Sequence, residues 1–259
     1  MVEEASDFVY RLRPMKDYTL DELRYHYLWF STRRGFKDTN DANIGRFIDQ
    51  NPLLLKSLRL HFNDSGINEL INKMEDTGIC CFTKSIPTRK CRRHFPNGNN
   101  SICIKYNKVK IEKALNESKY AIYNPFHDIH YEKDPFKLET DGDFHIAISK
   151  NSNEIQYIPI CNLCDKHELE KVIYFLLTNL DYQFAIQNET RIIMGGRNLC
   201  YLDRIKNGYK VLIPEDAIEE VILYDKKKEF IKCLCDISHI SNKIKFYAAT
   251  TTRSNAPKR

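Results

Sequence analysis

The feature that most constrains the fold is a succession of short apolar, β-branched or aromatic runs that do not alternate regularly with helices. Phe8-Val9-Tyr10-Arg11-Leu12-Arg13 alternates and ends at Pro14, which reads as a strand closed by proline. Further strands are expected at Tyr27–Ser31, Gly78–Thr83, Ser101–Tyr106, Tyr182–Ile186, Thr190–Met194, Cys200–Leu202, Tyr209–Ile213, Glu220–Leu223 and Lys243–Ala249, with weaker ones near His145 and from Ile155 to Ile160. A doubly wound parallel sheet needs regular strand–helix–strand units, so this order points to an α+β fold with a mainly antiparallel sheet.

Helical signals fall between the strands. Thr19-Leu20-Asp21-Glu22 resembles a helix start with Thr19 as the cap. The stretch from about Asn40 to Met74 reads as two or three helices, with Asn51-Pro52 at one entry and Asn63-Asp64-Ser65-Gly66 as a break. Helices are also expected from the end of the Ser101 strand to about Lys119, over Lys166–Asn179, and over Lys228–Cys235, with a short one opening at Pro214. At 259 residues the chain can bury a sizeable core. One domain over 1–248 with a helical insertion at about 40–75, and a Thr-, Ser- and Pro-containing tail at 249–259, fits that length.

No apolar run approaches membrane-spanning length, and Met1-Val2-Glu3-Glu4 is unlike a signal peptide, so a cytoplasmic protein is expected. The nine cysteines are odd in number and scattered, which favours reduced thiols. Cys161-x-x-Cys164 with His167, plus Cys233-x-Cys235, offers zinc-type ligands, but the second spacing suits a zinc knuckle poorly. His127, Asp128 and His130 lie in a polar loop with no helix to align them, and no metal is expected.

The net charge is +5, which permits phosphate-rich partners. Among the basic clusters, Arg89, Arg92 and Arg93 followed by His94 and Phe95 combine cations with rings able to stack on a base. The Lys226-Lys227-Lys228 run beside Glu229 reads as a solvated face. There is no internal repeat, no Gly-x-Gly-x-x-Gly and no phosphate-loop motif.

Gln187-Asn188-Glu189 is the polar triplet with the most chemistry. On a strand, Gln187 and Glu189 would point to one side, with Arg191 next. Taken in order, Arg11 and Arg13, then Ser31-Thr32, then Gln187-x-Glu189 resemble the arginine, Ser-Thr-Ser, Glu-x-Glu or Gln-x-Glu pattern of ADP-ribosyltransferases, with Arg33 in place of the last serine. Over most of its length the chain also resembles a bacterial family of uncharacterised domains. The resemblance lies in Tyr10-Arg11-Leu12, Phe30-Ser31, the degraded Phe36–Asp41 segment, Cys81-Phe82-Thr83, Arg92-Arg93-His94-Phe95, Ser101–Tyr106, Gln187–Arg191, and Ile213-Pro214 through Leu223. The family's turn tryptophan is Arg92 here, and its first Glu of Glu-x-Glu is Gln187.

These resemblances imply an ADP-ribosyltransferase-like split sheet and an enzyme that uses NAD as substrate. They further imply a defence or toxin setting, with nucleic acid slightly favoured over protein as acceptor and a neutralising antitoxin as a possible partner. Glu189 would stabilise the oxocarbenium-like state and hold the ribose 2′-hydroxyl, Gln187 would position the acceptor, and Ser31 would hold Glu189 in line. Arg11 or Arg13 would bind the pyrophosphate, with Thr32 beside it, and Tyr10 or Phe36 would stack on nicotinamide. The alternative is a non-catalytic module that binds nucleic acid or a partner protein.

Overall fold

The computed structural model describes residues 7–35, 41, 64–95, 100–119, 125–133, 140–141, 143–151, 154–159, 173–195, 204–205, 207–224 and 227–247. Its fold is α+β, built on a mainly antiparallel sheet. The strands of the main sheet are β1 (Phe8–Pro14), β2 (Tyr27–Thr32), β3 (Gly78–Thr83), β4 (Ser101–Asn107), β5 (Phe126–Asp128), β11 (Glu189–Met194), β12 (Arg204–Ile205), β13 (Gly208–Leu212), β14 (Ile218–Leu223) and β15 (Ile244–Phe246). Two smaller sheets pair β6 (His130–Glu132) with β10 (Asn179–Asp181), and β7 (Thr140–Asp141) and β9 (Glu154–Pro159) with β8 (Asp143–Asn151).

β3 is the hub. One edge pairs with β11 along the whole strand, from Thr83 opposite Glu189 to Gly78 opposite Met194. The other edge is shared. Its start pairs with β2, Ile79 opposite Ser31, and its end with β1, Thr83 opposite Tyr10. β1 and β2 therefore part along this edge. β1 continues into β4, β14 and β15, and β2 into β13 and β12.

Side chains directly opposite across a ladder share a face, and neighbours along a strand alternate. One face carries Val9, Leu28, Phe30, Cys80, Phe82, Ile104, Ile192, Val211 and Val221, all in the main hydrophobic core. That core is closed by α1 (Asp17–Arg24), α4 (Lys108–Glu117) and α5 (Lys228–Cys235), through Leu20, Leu23, Ile111, Leu115, Phe230 and Leu234. The remaining helices are α2 (Asp64–Asp76) and the four-residue α3 (Arg89–Arg92). Gly208 is required where it stands: a Cβ there would lie 2.3 Å from the Trp29 ring and 2.5 Å from the Phe30 carbonyl.

Several expectations change. Helix α1 starts at Asp17 with Lys16 at the cap, and Thr19 instead donates its hydroxyl hydrogen to the Pro14 carbonyl at 2.7 Å. The proline at the strand end thus supplies the carbonyl that holds the helix start. Residues Tyr182–Gln187 form a 3₁₀ turn rather than a strand. Asp181 accepts from the backbone N–H of Gln183, which favours a turn over an extended ladder. The basic loop contains α3, capped by the Thr88 hydroxyl on the Cys91 N–H. Of the 40–75 insertion, 64–75 lies in α2; apart from Asp41, the remainder lies outside the described residues, as do Cys200–Leu202 and the tail from 248. No helix of the described residues is long and apolar enough to cross a membrane.

Candidate functional site

Glu189 opens β11 and is 3 % exposed. The 3₁₀ turn before it ends at Gln187, and Asn188 takes left-handed backbone with φ 43°. This corrects the expectation of a shared strand side: Gln187 belongs to the turn and Glu189 to the strand. Asn is one of the few residues that enters this backbone region readily, and its carbonyl accepts the Lys84 N–H at 2.9 Å. The Glu189 N–H donates to the Tyr131 hydroxyl at 2.7 Å.

The carboxylate of Glu189 accepts from Arg191 Nε at 2.7 Å. Arg191 is 1 % exposed and also donates to both Asp41 oxygens, at 3.0 and 2.8 Å, and to the Leu177 carbonyl at 2.8 Å. Burial alone would lower the Arg191 pKa; Asp41 and Glu189 reverse that and hold it well above its usual value. The Cys81 thiol, opposite Arg191 in the ladder, is pushed well above the usual thiol range, first by burial and then by Glu189, to which it hydrogen-bonds. Cys81 is therefore a protonated donor to Glu189 and not a thiolate nucleophile.

Arg11 and Arg13 lie elsewhere. They share the core face with Val9, while Tyr10, opposite Thr83, shares the face of Glu189. Arg11 is 6 % exposed; it donates to Glu22 of α1 at 2.5 Å and to the Trp29 carbonyl at 2.6 Å. Arg13 Nε lies 2.6 Å from the other Glu22 oxygen without hydrogen-bond geometry, so that contact is charge–charge. Burial lowers the Arg11 pKa, but Cys80 and Glu22 raise it further and win. Both guanidinium groups are thus engaged by a buried acid on the far face of the sheet, which corrects their assignment to a pyrophosphate beside Glu189.

Ser31 is on the face of Glu189 but opposite Ile79, four residues along β3 from Thr83. That offset is about 13 Å at the usual strand rise. The distance corrects its expected role as the hydrogen-bond partner of Glu189. Thr32 points to the core face, and its hydroxyl and N–H both donate to the Asn207 carbonyl, at 3.1 and 2.9 Å. Phe36 lies outside the described residues. Of the expected set, Tyr10 and Glu189 are the pair brought close, one on each side of Thr83.

Helix α3 packs against the 3₁₀ turn that leads into Glu189. Arg89, Lys90, Arg93 and His94 are exposed, and none has an acidic partner among the described residues. The same 3₁₀ turn displays Tyr182, 68 % exposed. Arg92 differs from its neighbours and corrects their grouping. It turns inward, donating to the Pro87 carbonyl at 3.0 Å, and its guanidinium stacks on Tyr224 at 3.7 Å. Burial pushes the thiols of Cys91, on α3, and Cys103, on β4, up to about 11 and about 12.

Among the described residues, the histidine and cysteine candidates from the sequence do not share a ligand cluster. His127 and Asp128 are adjacent on β5 and so face opposite ways; Asp128 is paired with Lys84 at 2.9 Å. Cys233 is part-buried and Cys235 exposed on α5. Cys161, Cys164 and His167 lie outside the described residues. Sequence reading missed Glu22 and Asp41. Asp41 lies 150 positions from the arginine it pairs with, so no local pattern marks it. Glu22 had a signal: Arg11 and Arg13 alternate with Tyr10 and share the side of Val9, so an inward arginine pair needed an acid. Compared with protein-family models, curated proteins and solved structures, the chain has no match.

Proposed function

We propose that this chain binds single-stranded nucleic acid along α3 and the 3₁₀ turn beside it. The observation that carries this reading is the exposed group Arg89, Lys90, Arg93 and His94, without acid partners among the described residues, on a helix packed against the turn that displays Tyr182. Free cations track a phosphate backbone, and an exposed ring gives a base a surface on which to stack. The inward Arg92 braces the helix through Pro87 and Tyr224, leaving its neighbours outward.

A second reading, NAD-dependent ADP-ribosyl transfer by a split-sheet enzyme, is favoured by one arrangement. Glu189 and Tyr10 flank Thr83 on one face, and the 3₁₀ turn that leads into Glu189 packs against the basic helix. In this reading α3, rather than Arg11 or Arg13, supplies the phosphate-binding cations. Glu189 would have to exchange part of its pairing with Arg191 for a ribose hydroxyl.

Titration of labelled RNA and DNA oligonucleotides over a range of salt, without and then with NAD, separates the readings. Binding that weakens with salt, is lost in Arg89→Ala/Arg93→Ala and occurs with no NAD consumption supports the first. Consumption of NAD that disappears in Glu189→Gln, with the fold intact, supports the second. Tight, salt-insensitive binding unaffected by the α3 substitutions would overturn the first.

A further inference from the structure

At the opposite end of β2 from Ser31, three connections of the chain meet. The turn between α1 and β2 contributes His26, the link between β13 and β14 contributes Glu215, and the turn after α5 contributes His239. We propose that His26, His239 and Glu215 form a binding site for a divalent transition-metal ion of the zinc class, with a fourth position open to water or a ligand.

One ligand atom from each of the three residues lies within 4.8 Å of the others. The imidazoles meet edge to face, with ring centroids 4.2 Å apart and Nε2 to Nε2 2.7 Å. Two histidines and a carboxylate are a ligand set that zinc accepts, at about 2.0–2.2 Å per bond. A tetrahedral ion would need the two nitrogens roughly 3.3 Å apart, so the rings must part by a fraction of an ångström. Exposed Glu215 can then swing in as the third ligand.

Both histidines are held by backbone rather than by chance packing. His26 has left-handed backbone, φ 48°, an uncommon state for a residue with a side chain. Its carbonyl accepts the Ile213 N–H at 2.8 Å. His239 lies between buried Ile237 and Ile240; its Nε2 donates to the Leu23 carbonyl at 3.0 Å and must give up that proton and contact to ligate an ion. Lys243 is the nearby cation; its Nζ donates to the Ile218 carbonyl at 2.7 Å and to the Glu215 backbone carbonyl at 3.5 Å.

An ion here would tie α1, the β13–β14 link and the segment after α5 to one point. The test uses the full chain, stripped with EDTA and titrated with Co²⁺ and Zn²⁺. One equivalent of Co²⁺ should give tetrahedral visible absorption without a sulfur-to-cobalt charge-transfer band, and Zn²⁺ should displace it and raise the melting temperature. His239→Gln and His26→Asn, the latter chosen because Asn tolerates left-handed backbone, should each weaken binding at least tenfold, and Glu215→Gln should weaken it less. A Cys161→Ser/Cys164→Ser variant should bind as the parent does. Absence of stoichiometric binding would overturn the proposal. So would a thiolate band, or binding that survives in the histidine variants and vanishes in the cysteine variant.

Discussion

Glu22 and Glu189 are two buried carboxylates on opposite faces of one sheet, and their surroundings are inverted. Glu22 is a single acid holding two guanidinium groups, Arg11 and Arg13. On the other face a single guanidinium, Arg191, holds two acids, Glu189 and Asp41. The difference decides which acid can be spared. Removing Glu22 strands two cations beside the core, whereas removing Glu189 leaves Arg191 with Asp41. Residue type and burial are the same in both places; charge balance separates an acid the fold depends on from one it can lend.

The comparison predicts a ranked set of effects. Glu22→Gln should cost about 3–5 kcal/mol in urea unfolding, the usual penalty for an unpaired buried charge. Glu189→Gln should cost less, about 1–3 kcal/mol, because its partner stays paired and one hydrogen bond is weakened. Equal losses for the two variants would break the comparison. Restoring neutrality sharpens it: Arg11→Met in the Glu22→Gln background should recover part of the loss, measured as a double-mutant cycle.

Arg89→Ala/Arg93→Ala belongs to neither network. Its unfolding free energy should stay within about 0.5 kcal/mol of the parent. If each arginine meets one phosphate, the slope of log affinity against log salt for a single strand should fall by about 0.7 per residue removed.

The smallest effect concerns acid. His127 lies opposite Arg191 in the ladder and stacks near Tyr174, 5.0 Å between ring centroids. Burial lowers its pKa against a smaller upward pull from Asp128. The unfolded chain then binds a proton on this residue more readily than the folded one, so its contribution is complete above about 6.5, the free histidine value, and is lost as pH falls below that. Amide protection factors in β5 and β11 should fall from pH 7.5 to 5.5, and His127→Phe should flatten that dependence.

Much of the scaffold was legible because alternation marks strands that have one buried face. β1, β3, β4 and helix α5 fall within a residue or so of where the sequence puts them. The 3₁₀ turn was hidden because Tyr182, Phe184 and Ile186 alternate as a strand would, while the Asp181 side chain and the left-handed Asn188 decide otherwise. The site was less legible. Which way Arg11 points follows from alternation, but which acid meets it depends on how α1 lies over the sheet. The distance from Ser31 to Glu189 depends on strand order and register, which no single segment encodes: β3 intervenes, and the two attach at opposite ends of it.

The junction of β1 with β3 has a mechanical consequence. It is a seam one residue pair wide, Tyr10 with Thr83, whereas the ladders on either side run for six or seven pairs. The split is bridged from the core face, where Arg11 of β1 donates to the Trp29 carbonyl of β2 and one hydrophobic core runs under both halves, so side chains hold the two halves together where the ladder is a single pair.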